Sequence, residues 1–247
     1  FSLPSSNGKS VYFKLPKEID NLGNIKIKGI FTGFINNFVA KAQFITDLGS
    51  VKTDLNLKRT NTKEQFSYNG DLETIAFNIG ALVPPSSKLG KASLKFNVSG
   101  SGINTSYLNA KLNGAIDSIY FNGYCYKNIK LSGDIAEKKF NGDLYINDPY
   151  INLDFKGLVD FSDSLPYFDF DAELKNTYLS KINLFARDSL PVLSANLDFR
   201  FRGNNIDNIY GDIQIDNISY SEGEKKYIVN CIELYIENKN NENKKLK

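Results

Sequence analysis

The chain has 247 residues, of which 41% are hydrophobic and 23% charged, with 30 basic and 28 acidic side chains giving a net charge of +2. No run approaches the roughly 18 apolar residues that a membrane span needs, and no basic stripe tracks phosphates, so neither a transmembrane segment nor a nucleic-acid partner is expected. There is no histidine, tryptophan or methionine, and Cys125 and Cys231 stand far apart without a CxxC spacing; a Cys–His nucleophile and a Cys/His zinc centre are thereby excluded.

In chain order, the sequence opens abruptly at Phe1-Ser2-Leu3-Pro4 without a signal peptide, which reads as a processed chain or an internal segment. The first turn signal is Asp47-Leu48-Gly49-Ser50. Tyr68-Asn69-Gly70-Asp71-Leu72 then introduces a unit of apolar residue, any residue, Gly, any residue, apolar residue. Ala81 to Leu89, holding Pro84-Pro85-Ser86-Ser87, interrupts the pattern.

Strict alternation resumes with Leu94, Phe96 and Val98, then Leu108, Ala110, Leu112, Gly114 and Ile116. An Asn122-Gly123 turn leads to Ile129 and Leu131, and Asn147-Asp148-Pro149 to Ile151, Leu153, Phe155, Gly157, Val159 and Phe161. Asn152, Asp154, Lys156 and Asp160 occupy the intervening positions. After Ser162-Asp163-Ser164 and Leu165-Pro166 come Phe168, Phe170, Ala172 and Leu174. Thr177 to Leu190 alternates poorly, and Leu193, Ala195, Leu197, Phe199 and Phe201 restore the period. The glycine unit recurs at Gly114, Gly133, Gly142, Gly157 and Gly211, with related forms around Gly29, Gly100 and Gly203.

A period of two means strands with one dry and one wet face, and burial on one face only favours antiparallel pairing. Asn-Gly between amphipathic runs signals hairpins. The whole reads as an all-β chain: about sixteen strands in a long antiparallel meander, which curls because so wide a sheet does not stay flat. The repeated glycines suit a sheet that bends, the alternative being independent bulges or corners in a β-sandwich. Three segments are expected: 1–89, groove strands ending in the Pro/Ser-rich crossing; 90–237, the remaining groove strands; and 238–247, a polar tail.

Chemistry is hard to place. Asp169 and Asp171, or Asp212 and Asp216, have the spacing of carboxylate pairs but fall on wet faces. Asn147-Asp148 and Asp160 to Asp163 offer oxygen atoms without an EF-hand order, and no phosphate loop or nucleophile elbow occurs. No catalytic residue, metal site or cofactor is expected, and the two cysteines read as free thiols or semi-buried small hydrophobes, a disulfide between them being the alternative. The expected working surface is the dry face, lined by Leu94, Phe96, Val98, Leu112, Ile116, Ile129, Leu131, Ile151, Leu153, Phe155, Phe168, Phe170, Leu197, Phe199 and Phe201.

Three stretches carry a family likeness: Gly114-Ala-Ile-Asp-Ser-Ile-Tyr-Phe-Asn-Gly-Tyr-Cys-Tyr-Lys-Asn-Ile-Lys-Leu-Ser-Gly133, Lys139-Phe-Asn-Gly-Asp-Leu-Tyr-Ile-Asn-Asp148 and Asn152-Leu-Asp-Phe-Lys-Gly-Leu-Val-Asp-Phe161. They resemble the TamB proteins of the AsmA-like group in Gram-negative bacteria, best over residues 90 to 220. The resemblance implies an elongated groove with a hydrophobic interior, the β-taco. It implies a periplasmic segment of a longer chain whose membrane anchor, and whose contact with an outer-membrane β-barrel assembly protein, lie outside this segment. It also implies a function: conducting phospholipid acyl chains between the inner and outer membranes, supporting outer-membrane protein assembly, or both. The other readings are a closed β-sandwich binding or adhesin module and a strand-pairing scaffold for β-barrel substrates.

Overall fold

A computed structural model describes residues 2–4, 10–12, 21–34, 36–60, 66–83, 85–102, 107–185, 190–205 and 207–237. The expected tail, 238–247, lies outside these. β1 (Ser2–Pro4) and β2 (Ser10–Tyr12) form a small ladder of their own. All other strands join one antiparallel meander: β3 (Lys26–Phe34), β4 (Asn37–Thr46), β5 (Gly49–Arg59), β6 (Phe66–Asn78), β7 (Leu89–Ser101), β8 (Asn109–Phe121), β9 (Tyr124–Ala136), β10 (Lys139–Asp148), β11 (Ile151–Asp160), β12 (Tyr167–Tyr178), β13 (Val192–Arg202), β14 (Tyr210–Glu222) and β15 (Lys225–Ile236). The sheet therefore has thirteen strands, fewer than the count drawn from the turns, and is not closed into a barrel. With neighbours about 4.8 Å apart it extends on the order of 60 Å.

One layer suffices because the sheet curls. Ala40, Ala42, Phe96, Val98, Ala110, Ile129, Ile146 and Ile151 are buried on the same face although no second sheet covers them. The sandwich alternative is thus overturned: the apolar face turns in on itself instead of meeting a partner layer.

The pattern glycines stand on this inner face, and none of Gly70, Gly114, Gly133, Gly142, Gly157 and Gly211 sits at a register shift. At Gly133 and Gly142, paired with each other, an added Cβ would strike the backbone carbonyl of the neighbouring strand. Their absent side chains let adjacent strands close up on the concave side. The bulges are elsewhere. Ala76 and Asn176, both with positive φ, interrupt the β6–β7 and β12–β13 ladders, and each donates its N–H to a serine on the next strand, Ser93 Oγ and Ser194 Oγ, at 2.9 Å.

Those twin bulges belong to a larger repeat. Asn78 N–H bonds Leu48 O at 2.7 Å, and Tyr178 N–H bonds Tyr150 O at 2.9 Å. Arg59 N–H to Asn36 O is matched by Phe161 N–H to Lys138 O, and Gly102 N–H to Phe66 O by Gly203 N–H to Pro166 O. Registers agree as well: Ala42 faces Thr53 as Leu144 faces Phe155, and Gly70 faces Val98 as Phe170 faces Phe199. Strands β3–β8 and β9–β14 are two copies of a six-strand unit about 100 residues long, and β15 begins a third. The sheet runs through residue 89 without a break, since β6 pairs with β7 across the first crossing.

Candidate functional site

Directly opposed residues of an antiparallel ladder share a face, so the inner surface can be followed strand by strand. One row runs Gly29, Ala42, Thr53, Leu72, Phe96, Gly114, Leu131, Leu144, Phe155, Ala172, Leu197, Ile215 and Ile232. The next runs Phe31, Ala40, Leu55, Gly70, Val98, Leu112, Gly133, Gly142, Gly157, Phe170, Phe199, Ile213 and Leu234. Each row takes one residue from all thirteen strands, and neither contains a charge. Two threonines on this face turn their hydroxyls to the backbone: Thr53 Oγ1 donates to Ala40 O at 3.2 Å and Thr74 Oγ1 to Ala92 O at 3.2 Å.

All fifteen residues singled out in the sequence fall on this face. Phe96, Val98, Ile129 and Ile151 are buried; Leu94, Leu112, Ile116, Leu131, Leu153, Phe155, Phe168, Phe170, Leu197, Phe199 and Phe201 are half-buried and reachable from the groove. Five of the phenylalanines touch. Phe155 and Phe170 lie 5.0 Å apart between centroids, Phe170 and Phe199 5.2 Å, and Phe168 and Phe201 stack at 4.8 Å. Aromatic pairs at such spacings are favourable beyond their burial. The wall belongs to the second unit: Thr53, Gly70 and Gly100 hold the corresponding places of Phe155, Phe170 and Phe201 in the first.

The poorly alternating stretch between β12 and β13, open in the sequence to a short helix, a loop crossing the groove or a linker, is a crossing. Its described part, residues 179–185, folds back over the inner face as a strap, a packing that sequence reasoning did not foresee. Ile182, 1% exposed, packs on Tyr126, Ile129, Ile146 and Ile151. Asn122 Nδ2 donates to Asn183 O at 2.9 Å, Asn183 Nδ2 donates to Asn122 O at 3.0 Å, and Tyr126 OH donates to Ile182 O at 3.3 Å. Two of the named lining residues, Ile129 and Ile151, are thereby sealed from any ligand. The only signal in the sequence was a Leu179–Ile182 pair inside a stretch that otherwise lacks alternation.

The candidate carboxylates Asp169, Asp171 and Asp216 lie on the opposite face, whereas Asp148, opposite Ile151, stands on the inner one. Asp169 faces Arg200 across the ladder and approaches its Nε at 3.7 Å; Asp171 faces Asp198; Asp216 accepts from Gln214 Nε2 at 2.7 Å. Asp148 is buried and accepts from Tyr124 OH at 2.5 Å and from the N–H groups of Lys127 and Tyr150 at 2.9 Å, which locks the β10–β11 turn. Burial, and then that bond to Asp148, hold the Tyr124 phenol above its ordinary pKa. The Ser162 side chain, the Ser162 N–H and Lys139 hold the Asp160 carboxyl below its own, against an opposing push from burial. Among the described residues no group of three or more Cys, Asp or Glu is placed to hold a metal, and no helix is long and apolar enough to cross a membrane. Cys125 and Cys231 are free thiols. No family model, curated protein or solved structure matches the chain.

Proposed function

We propose that the curled sheet is a groove segment that conducts phospholipid acyl chains, as its resemblance to the TamB and AsmA-like proteins implies. In this reading it works in the periplasm as part of a longer, inner-membrane-anchored chain. The observation that carries the reading is the pair of uncharged rows that cross every strand of the open sheet. Each methylene moved from water onto such a surface contributes about 0.8 kcal/mol, while a charged headgroup finds no partner in the rows and stays in water at the lip. Rows that carry no charge along their length hold a chain without fixing its position, which suits passage rather than storage. Phe155, Phe170 and Phe199 line the groove as a run of rings in mutual contact.

Photo-crosslinking side chains at Phe155, Phe170 and Phe199 test this in cells. They are expected to capture phospholipid, with Asp154, Asp171 and Asp198 on the outer face as controls. Capture at the outer sites and none at the inner ones would overturn the reading.

A further inference from the structure

We infer that a phospholipid lying in the second unit sends its charged head out over one border of the sheet only, the border opposite the strap. This rests on the acyl-groove reading and adds to it the side on which the head travels. The strand ends form two long borders. Over the second unit the first border carries the turns at 122–123 and 149–150 and the strap, and the second carries the turns at 137–138 and 161–166. The first border is roofed. Leu179 N–H bonds Pro191 O at 3.0 Å, which ties the strap at its root, and the paired amides of Asn183 and Asn122 hold it to the β8–β9 turn. Between these ties Ile182 covers Tyr126, Ile129, Ile146 and Ile151, so the strap reaches from β12 back across β11, β10 and β9. Asp148, the carboxylate at this border, is already satisfied by Tyr124 OH and the N–H groups of Lys127 and Tyr150.

The second border is built the other way. A third uncharged row, Ile135, Phe140, Val159, Phe168 and Phe201, follows it across β9–β13 on the inner face, and each of these residues is half-buried. Just beyond them Phe161 is 53% exposed, and Ser162, Asp163 and Ser164 are exposed. Ion pairs come next, at the border itself. Lys139 Nζ lies 3.2 Å from Asp160 Oδ2, Arg202 Nη1 lies 3.5 Å from Asp163 Oδ2, and the Arg202 guanidinium lies 4.8 Å from the centre of the Tyr167 ring. Along the strands, apolar surface therefore gives way within one residue to groups of both signs. A head that turns over this border stays in water within reach of a counter-ion, whereas one driven toward the strap meets apolar side chains and a carboxylate with no acceptor capacity to exchange.

Strand β11 allows a matched test, because Pro149 and Ser164 are exposed beyond its two ends, one on each border. In a Cys125→Ser, Cys231→Ser background, Pro149→Cys, Ser164→Cys and, in the groove, Phe170→Cys each carry one fluorophore. The chains are loaded from vesicles of phosphatidylcholine bearing a nitroxide on either the choline or the acyl chain, and the vesicles are then removed by flotation. The acyl nitroxide should quench the Phe170→Cys label. The choline nitroxide should quench the Ser164→Cys label several-fold more than the Pro149→Cys label. Loosening the strap with Ile182→Ala and Asn183→Ala, checked by a lowered urea midpoint, should raise choline quenching at Pro149→Cys; the comparison between borders does not need that variant. Acyl quenching at Phe170→Cys with equal choline quenching at the two borders, none included, or with more at Pro149→Cys, overturns the inference and leaves the acyl-groove reading standing. A loosened strap that changes nothing at Pro149→Cys does the same. No acyl quenching at Phe170→Cys overturns both.

Discussion

The two six-strand units share a ladder but not a filling. In the first, β3–β8, the inner face of β3–β6 carries the small residues Gly29, Ala40, Ala42, Thr53 and Gly70 beside Phe31, Leu55 and Leu72. Its crossing, two short 3₁₀ turns at Ile79–Leu82 and Pro85–Ser87, buries none of its described residues. In the second, β9–β14, the same places carry Leu131, Gly142, Leu144, Phe155 and Phe170, and the crossing reaches back to bury Leu179 and Ile182. Backbone hydrogen bonding sets the frame, and side-chain volume with loop sequence decides whether that frame stays open or is packed.

The largest test of the contrast is Ile182→Ala. It is expected to cost about 2–4 kcal/mol in urea unfolding, whereas Leu82→Ala in the first crossing should cost under about 1. Equal effects would mean that the strap is not what distinguishes the units. Gly142→Ala follows. Its first-unit counterpart is Ala40, tolerated beside an edge strand free to shift, but between Gly133 and Gly157 the added Cβ meets the Ser132 carbonyl. A loss of about 1–3 kcal/mol is expected, with no loss falsifying the close-approach account.

Thr177→Val should act the other way. Thr177 is 1% exposed, its Oγ1 has no hydrogen-bond partner, and the corresponding residue of the first unit is the buried Phe77. Removing the hydroxyl is expected to raise stability by about 1 kcal/mol, read as a higher urea midpoint. Ser93→Ala and Ser194→Ala remove the two bulge locks and should each cost about 0.5–1.5 kcal/mol. Similar values support the equivalence of the units; a clear difference breaks it.

The smallest effect is on pH dependence. The folded-state pKa of Asp160 is lowered below its unfolded value, 3.8. Its contribution is therefore present above that value and is lost as pH falls through the lowered one. Asp160→Asn should narrow the difference in melting temperature between neutral pH and about pH 2.5, compared with the parent chain.

Much of this was legible in the sequence. Leu153, Phe155 and Val159 announce their shared face because side chains alternate with a period of two, a local rule that needs no knowledge of neighbours. Asn122-Gly123 announces its hairpin because both residues take positive φ, at 49° and 79°. The bulges were not legible, since Ala76 and Asn176 are ordinary residues in strands and only the offset between ladders reveals them. The six-strand period was hidden for the same reason: Thr53 and Phe155, or Gly70 and Phe170, occupy one structural place with unlike side chains.

By itself, then, the sequence determined an all-β chain, its turns and which side of each strand is dry. Tertiary structure alone decided that the sheet stays open, that Ile182 closes part of it, and that Ile129 and Ile151 lie beneath the strap rather than in the groove. The reason is one of range. Alternation and turn chemistry act over two to four residues, whereas the strap depends on Asn122 meeting Asn183, 61 positions away, which no local pattern encodes.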